Sequence, residues 1–297
     1  MNPRDRLLEC AFRLAWATTR HAPATAAERV LESAADRLWR QRGGAVRQLE
    51  SNLLRAVPGS SEVELRELSR RAMRSYFRYW HEAFLLPSWS HQRIVDTVVT
   101  SNEEQFRRRF EEGGGGIIAL PHMGNWDLAG AWACLTGMPV TTVAERLRPE
   151  RLYDAFVSYR TTLGMEVKPL TGGTNPLTEL RGALRRGRLV CLVADRDLSK
   201  SGVEVELLGE AARMPTGPAA LARMTGAPLV ALTSEYRGPL LRLDFGSVID
   251  VQPGKEGIRT MTQETADFFS AAIRRAPQDW HMLQPVFSAD TASRQPR

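Results

Sequence analysis

Residues 116–130, Gly-Ile-Ile-Ala-Leu-Pro-His-Met-Gly-Asn-Trp-Asp-Leu-Ala-Gly, constrain the fold more than any other part of the chain. Ile117, Ile118, Ala119 and Leu120 form a short apolar run with two β-branched members, which suits a strand buried on both faces. Pro121 ends the run, and Asn125 is a suitable cap for a helix through Leu128, Ala129, Ala131 and Trp132. A buried strand breaking sharply into a helix is the unit of an open α/β sheet, whose ligands bind beyond the carboxyl ends of the strands. His122 falls at that end. Asp127 falls in the first helical turn, where a tight connection can fold its carboxylate back toward the imidazole. The pair reads as a base with an orienter; a packed core histidine and a first-turn carboxylate favoured by the helix dipole satisfy the same pattern.

From this stretch onward strands and helices alternate. Residues 140–145, 166–170, 189–194, 203–208, 229–236 and 240–245 read as strands, and 149–163, 176–186, 219–225 and 257–275 as helices. Ahead of it the apolar spacing is helical at 2–20, 23–41, 43–56, 62–86 and 101–112. The expected fold is α/β, a central mostly parallel sheet flanked by helices, with an N-terminal helical layer. Residues 1–110 would form the helical, membrane-docking region and 111–297 the α/β core.

Charge is distributed unevenly. Residues 1–100 hold 16 arginines and no lysine against 11 acids, whereas 101–297 hold 24 basic residues against 23 acidic ones. The net +6 therefore belongs almost wholly to the N-terminal third, which suits anionic lipid, nucleic acid or plain solubility. Residues 2–20 are basic and amphipathic, with Phe12 and Trp16 on the apolar side, as for a helix lying in lipid headgroups or one packed on the domain. Arg70, Arg71, Arg74 and Arg78 line one side of an aromatic-rich helix, a pattern that could meet phosphates or only water. No run of about twenty apolar residues exists to span a bilayer, and Arg4, Asp5, Arg6 and Glu9 spoil a signal peptide. Cys10, Cys134 and Cys191 lie far apart in apolar surroundings, as expected of core thiols in a reducing compartment.

Several chemistries are disfavoured. The five histidines are scattered without ligand spacing, so no metal is expected. There is no Gly-x-Ser-x-Gly elbow, and the glycines at 113–116 lack both the P-loop ending and the dinucleotide spacing. No nucleic-acid motif accompanies the basic charge. What remains is a group of polar residues at strand ends or in following loops: Glu145-Arg146, Arg160, and Asp195-Arg196-Asp197. Their convergence on one sheet edge with His122 favours a site over a set of solvated loops.

The segment Leu-Pro-His-Met-Gly-Asn-Trp-Asp resembles the His-x4-Asp motif of the bacterial lysophospholipid acyltransferase superfamily, in the branch of the lipid A biosynthesis acyltransferases. Ala-Glu-Arg-Leu-Arg-Pro-Glu at 144–150, Ala-Asp-Arg-Asp-Leu-Ser at 194–199, Met-Pro-Thr-Gly-Pro-Ala-Ala-Leu-Ala at 214–222 and Asp-Trp-His-Met-Leu-Gln-Pro-Val-Phe at 279–287 are similar to the actinobacterial phosphatidylinositol mannoside acyltransferases. The resemblance spans nearly the whole chain. It implies transfer of a palmitoyl-like chain from acyl-CoA, a co-substrate with no further cofactor, to a mannose hydroxyl of an anionic mannolipid. A lipid A precursor or lysophospholipid is the alternative acceptor, and a peripheral lipid-binding module the alternative without catalysis. The implied base is His122, with Asp127 on its second ring nitrogen and Asp195, where a longer Glu is expected in relatives, helping to set its charge. Glu145 and Arg160 match positions lining the acceptor and donor region, and Ser201 and Arg223 are candidate donor contacts. The backbone N–H groups near Gly124 and Asn125 are candidate oxyanion donors, and the implied location is the cytoplasmic side of the membrane, peripherally bound.

Overall fold

The computed structural model describes residues 24–145, 150–170, 175–197 and 202–292. The amphipathic segment 2–20, Cys10, Arg146 and Ser201 lie outside the described residues.

Among the described residues three helices come first: α1 (Ala24–Gln41), α2 (Gly44–Ala56) and α3 (Glu62–Leu85). A capping box starts α3, Ser61 accepting from the Glu64 N–H while the Glu64 carboxylate accepts from the Ser61 N–H. Asp36 of α1 takes two hydrogen bonds each from Arg70 and Arg74 of α3. Those guanidiniums hold its carboxyl well below the usual carboxylate range. Arg78 bonds Glu82 at 2.7 Å and the Gly238 carbonyl at 2.8 Å. Three of the four arginines that could have met phosphates are thus internal ties.

A short helix α4 (His91–Thr97), β1 (Val98–Ser101) and α5 (Glu103–Gly113) lead into β2 (Gly116–Leu120). There follow α6 (Trp126–Leu135), β3 (Val140–Ala144), α7 (Glu150–Thr162), β4 (Glu166–Pro169), α8 (Pro176–Arg185) and β5 (Leu189–Val193). A separate hairpin of β6 (Val203–Leu207) and β7 (Glu210–Met214) turns through Leu208 and Gly209, both at positive φ as a two-residue hairpin loop requires. Next come α9 (Gly217–Thr225), β8 (Leu229–Arg237), β9 (Leu240–Ile249), α10 (Gly254–Arg275) and the short α11 (Ser288–Ala292).

The main sheet has seven strands in the order β1-β9-β8-β2-β5-β3-β4. The five from β8 to β4 are parallel, while β9 runs against β8 and β1 runs with β9. This is the expected α/β architecture. The elements not anticipated, α4, β1, β7 and α11, are short, and β1 and β7 each carry at least two exposed side chains, so neither offers a clear apolar alternation. All five residues of β2 are buried because layers cover both faces: Ile117 and Ala119 face the layer containing α9 and α10, and Ile118 and Leu120 the one containing α6.

Asn125 fastens the start of α6. Its side-chain oxygen accepts from the Leu128 N–H at 2.9 Å, and its amide nitrogen donates to Glu82 at 2.8 Å. Glu82 also accepts from the Tyr236 hydroxyl and from Arg78, so one carboxylate joins α3, β8 and the cap. After α10 the chain returns as a strap, whose Met282 and Gln284 carbonyls accept from the Asn52 amide at 2.8 and 2.9 Å. Asn125→Ala removes the cap and one donor to a buried carboxylate. It is expected to cost about 2–3 kcal/mol of unfolding free energy in urea denaturation; a loss under about 0.5 kcal/mol would contradict this account of the cap.

Candidate active site

β2 and β5 are neighbours in register, Leu120 beside Val193, and the Ala194 N–H continues the ladder to the Leu120 carbonyl at 2.8 Å. Two residues past each strand end stand His122 and Asp195. Parallel strands lie about 4.8 Å apart, so an aspartate spans the gap without the extra methylene of a glutamate. The Asp195 carboxylate accepts from the His122 ring Nδ1 at 2.7 Å and from the His122 backbone N–H at 2.9 Å. The Trp280 indole N–H donates to it at 2.9 Å. Asp195 has no exposed surface. Burial alone would raise its pKa, but the charge of His122 and these hydrogen bonds outweigh that and hold it below the usual value. Because an ionised carboxylate can only accept, Nδ1 carries a proton, and in the neutral ring Nε2 is the nitrogen with the lone pair.

Asp127 is therefore not the imidazole's partner. Its carboxylate is almost fully buried and takes the Arg160 Nε at 2.8 Å and the Tyr79 hydroxyl at 2.9 Å, one on each oxygen. The helix start directs it toward α7 and α3 instead of back over the strand. Burial opposes the charge on Arg160, yet Asp127 and the surrounding groups raise its pKa above that of free arginine. The imidazole is braced by Trp126, edge to face at 5.5 Å between ring centroids, and Trp126 lies 4.1 Å from the Tyr79 ring.

The strap forms the back of the site. The Gly124 N–H donates to the Asp279 carbonyl at 2.9 Å and the His281 N–H to the His122 carbonyl at 2.8 Å, with Met123 and Trp280 bridged between them. Gly124 is thus excluded as an oxyanion donor, because its N–H is occupied. The Ser75 hydroxyl donates to Asp279 at 2.7 Å and so accepts from His281 Nε2 at 3.0 Å. That relay leaves His281 Nδ1 as a buried lone pair without a partner.

His122 opens on a cleft of about 500 Å³ whose walls include Tyr76, Trp80, Glu145, Tyr153 and Arg196. Glu145 and Arg160 both border it. Arg223 does not: it is exposed in the last turn of α9, next to Thr225–Pro228, which lead into β8 at the opposite end of the sheet. Asp197 turns away to accept from the Gly202 N–H. Tyr79, Trp280 and His281 were missed by residue-level reasoning. The Asp-Trp-His run at 279–281 carried a signal as a shared stretch, but no local pattern tied it to a residue far earlier in the chain. Among the described residues no group of His, Cys, Asp or Glu could hold a metal ion, and Cys134 and Cys191 are free thiols whose pKa values burial raises. Chemically, the site presents an oriented, partly exposed imidazole with a free Nε2, backed by a buried carboxylate; it can take a proton from a hydroxyl and return it.

The chain belongs to the bacterial lipid A biosynthesis acyltransferase family, which it matches over residues 6–289, and it is an acyltransferase. The phosphatidylinositol mannoside acyltransferase of Mycolicibacterium smegmatis (strain ATCC 700084 / mc(2)155) is 41% identical over 286 residues, which cover 96% of this chain and 93% of that protein. The protein of the same name from Mycobacterium tuberculosis (strain ATCC 25618 / H37Rv) is 39% identical over 283 residues, covering 94% and 88%.

Burial and the adjacent His122 push the pKa of His281 down to about 3, from 6.5 for a free histidine. Between those values the unfolded chain binds a proton that the folded one refuses. The stability due to a neutral His281 is therefore complete above 6.5 and lost as pH falls toward 3. The unfolding free energy of the wild type minus that of His281→Asn should rise with pH through this window, by up to about 1.4 kcal/mol per pH unit. Urea titrations at several pH values measure it, and a flat difference would mean that His281 is not held neutral.

Proposed function

We propose that the protein transfers a long acyl chain, palmitoyl-like, from acyl-CoA to a mannose hydroxyl of a phosphatidylinositol mannoside. The observation that carries this reading is the imidazole of His122, locked by buried Asp195 with Nε2 free toward the cleft. The substrate class is supported by the relatives' names and by an apolar void beside the cleft, the two sharing Trp126, Val143, Arg160 and Val193.

In this mechanism His122 Nε2 takes the proton of the sugar hydroxyl as its oxygen attacks the thioester carbonyl carbon. The C–S bond then breaks, the ester forms, and the imidazolium returns the proton to the departing thiolate. Asp195 holds the tautomer and stabilises the transient cation, remaining ionised throughout. Arg160, whose Nε donates to Asp127, its one side-chain hydrogen bond among the described residues, stands at the junction of cleft and void, where its terminal N–H groups complete the guanidinium. There they serve the thioester oxygen or the acceptor. Arg196 adds positive charge to the cleft wall, suited to an anionic headgroup.

Docking on the inner leaflet is supported by the arginine excess of residues 1–100 and by the basic amphipathic sequence that precedes α1. Among the described residues no helix is long and apolar enough to cross a membrane.

Thiol release from palmitoyl-CoA, with and without mannolipid, tests the chemistry. His122→Ala should lower kcat by about a hundred- to ten-thousand-fold. Asp195→Asn should lose at least about a hundredfold, since an amide cannot accept from all three donors. Asp127→Asn should act chiefly on KM through a loosened Arg160; if it matched His122→Ala in kcat while Asp195→Asn stayed active, the assignment of the orienter would be wrong. Binding to vesicles should require anionic lipid and weaken with salt; binding that ignores both would remove the electrostatic docking.

A further inference from the structure

Between α6 and the sheet lies an apolar void of about 60 Å³. On this measure a single water needs about 10–15 Å³, so the space is real but narrow. It runs from the carboxyl to the amino end of the sheet. Val193, Cys191 and Leu189 of β5 mark three successive levels on its wall, roughly 13 Å from first to last at the rise of a strand. Opposite them α6 presents the small residues Ala129, Gly130 and Ala133, with Trp132 beside them. Trp126, Asp127 and Arg160 stand at the cleft end.

At the other end Met165, just ahead of β4, reaches across to α6. A Cβ on Gly130 would lie 2.6 Å from the Met165 sulfur and 3.4 Å from its terminal methyl. The thioether therefore occupies the space that any larger residue at 130 would fill. Met165 is buried, and its unbranched side chain can change rotamer without a backbone shift.

We infer that Met165, resting on Gly130, is the floor that sets how long an acyl chain the void accepts. This rests on the acyl-transfer reading above and names the residue pair that selects the chain. A chain entering past Trp126 and Arg160 runs along β5 until its end meets the thioether, and longer chains need that thioether displaced. Met165→Ala lowers the floor. Gly130→Ala drives the thioether the other way, because the void is the open space beside it. Opposite shifts in chain-length preference from the two variants are the signature.

The experiment measures binding of free fatty acids by displacement of a fluorescent fatty acid, alongside kcat/KM for acyl-CoAs from octanoyl to arachidoyl. Each further methylene that finds room is worth about fourfold in binding. Met165→Ala should move the optimum about two methylenes longer, changing the ratio of the longer to the shorter chain by at least about tenfold. Gly130→Ala should move it shorter, and Met165→Leu should leave it in place. Fatty-acid binding that shifts this way without thiol release from any acyl-CoA would keep the floor and defeat the acyl-CoA reading. Folded variants, checked by circular dichroism, with an unchanged length dependence would overturn the floor, as would a wild type that binds no fatty acid.

Discussion

The site depends on one buried carboxylate. Asp195 is out of contact with water, and an isolated charge in that position would cost several kcal/mol. It remains ionised because three donors converge on it, and each comes from a different commitment of the fold. The backbone N–H of His122 is placed by the β2–β5 register, the ring by the turn after Pro121, and the indole of Trp280 by the returning strap. A shift in any of the three would leave a buried anion short of a partner. The carboxylate therefore holds the strand ends and the strap together while it fixes the tautomer of the imidazole.

A second buried ion pair, Asp127 with Arg160, occupies the boundary between the polar cleft and the apolar void. Its environment differs from that of Asp195 in the nature of the partner. Asp195 faces a group that can gain and lose a proton, whereas Asp127 faces a guanidinium that cannot. Two aspartates near one imidazole thus have different partners, one holding the imidazole and one fixing a cation. The division follows from which strand or helix end carries each.

The N-terminal helices belong to this arrangement. Tyr79 of α3 bonds Asp127, Ser75 sets the tautomer of His281, and Glu82 holds the cap of α6. Cation–π stacking of Arg78 over Tyr236 at 3.7 Å and the Asp36 clamp fix α3 against the sheet hairpin and against α1. The arginine-rich face of α3 reads on its own as a surface for anions. Three of its arginines are instead spent on carboxylates within the protein, which a periodicity plot cannot distinguish from solvent exposure.

By itself the sequence determined what depends on near neighbours in the chain. The apolar run, the proline break, the asparagine cap and the alternation of strands with helices all act within a few residues, and so the α/β class, the placement of His122 at a strand end and the long helices were legible. So was the family resemblance, through its shared stretches. The partner of the imidazole was not. Asp127 is five residues from His122 and Asp195 is seventy-three, yet the nearer carboxylate is turned away by the start of α6 while the farther one is brought opposite by parallel pairing. Trp280 and His281 are farther still. Only the tertiary structure decided which carboxylate meets the imidazole, because strand register and the path of a returning strap are settled by packing across the whole sheet and leave no mark in local spacing.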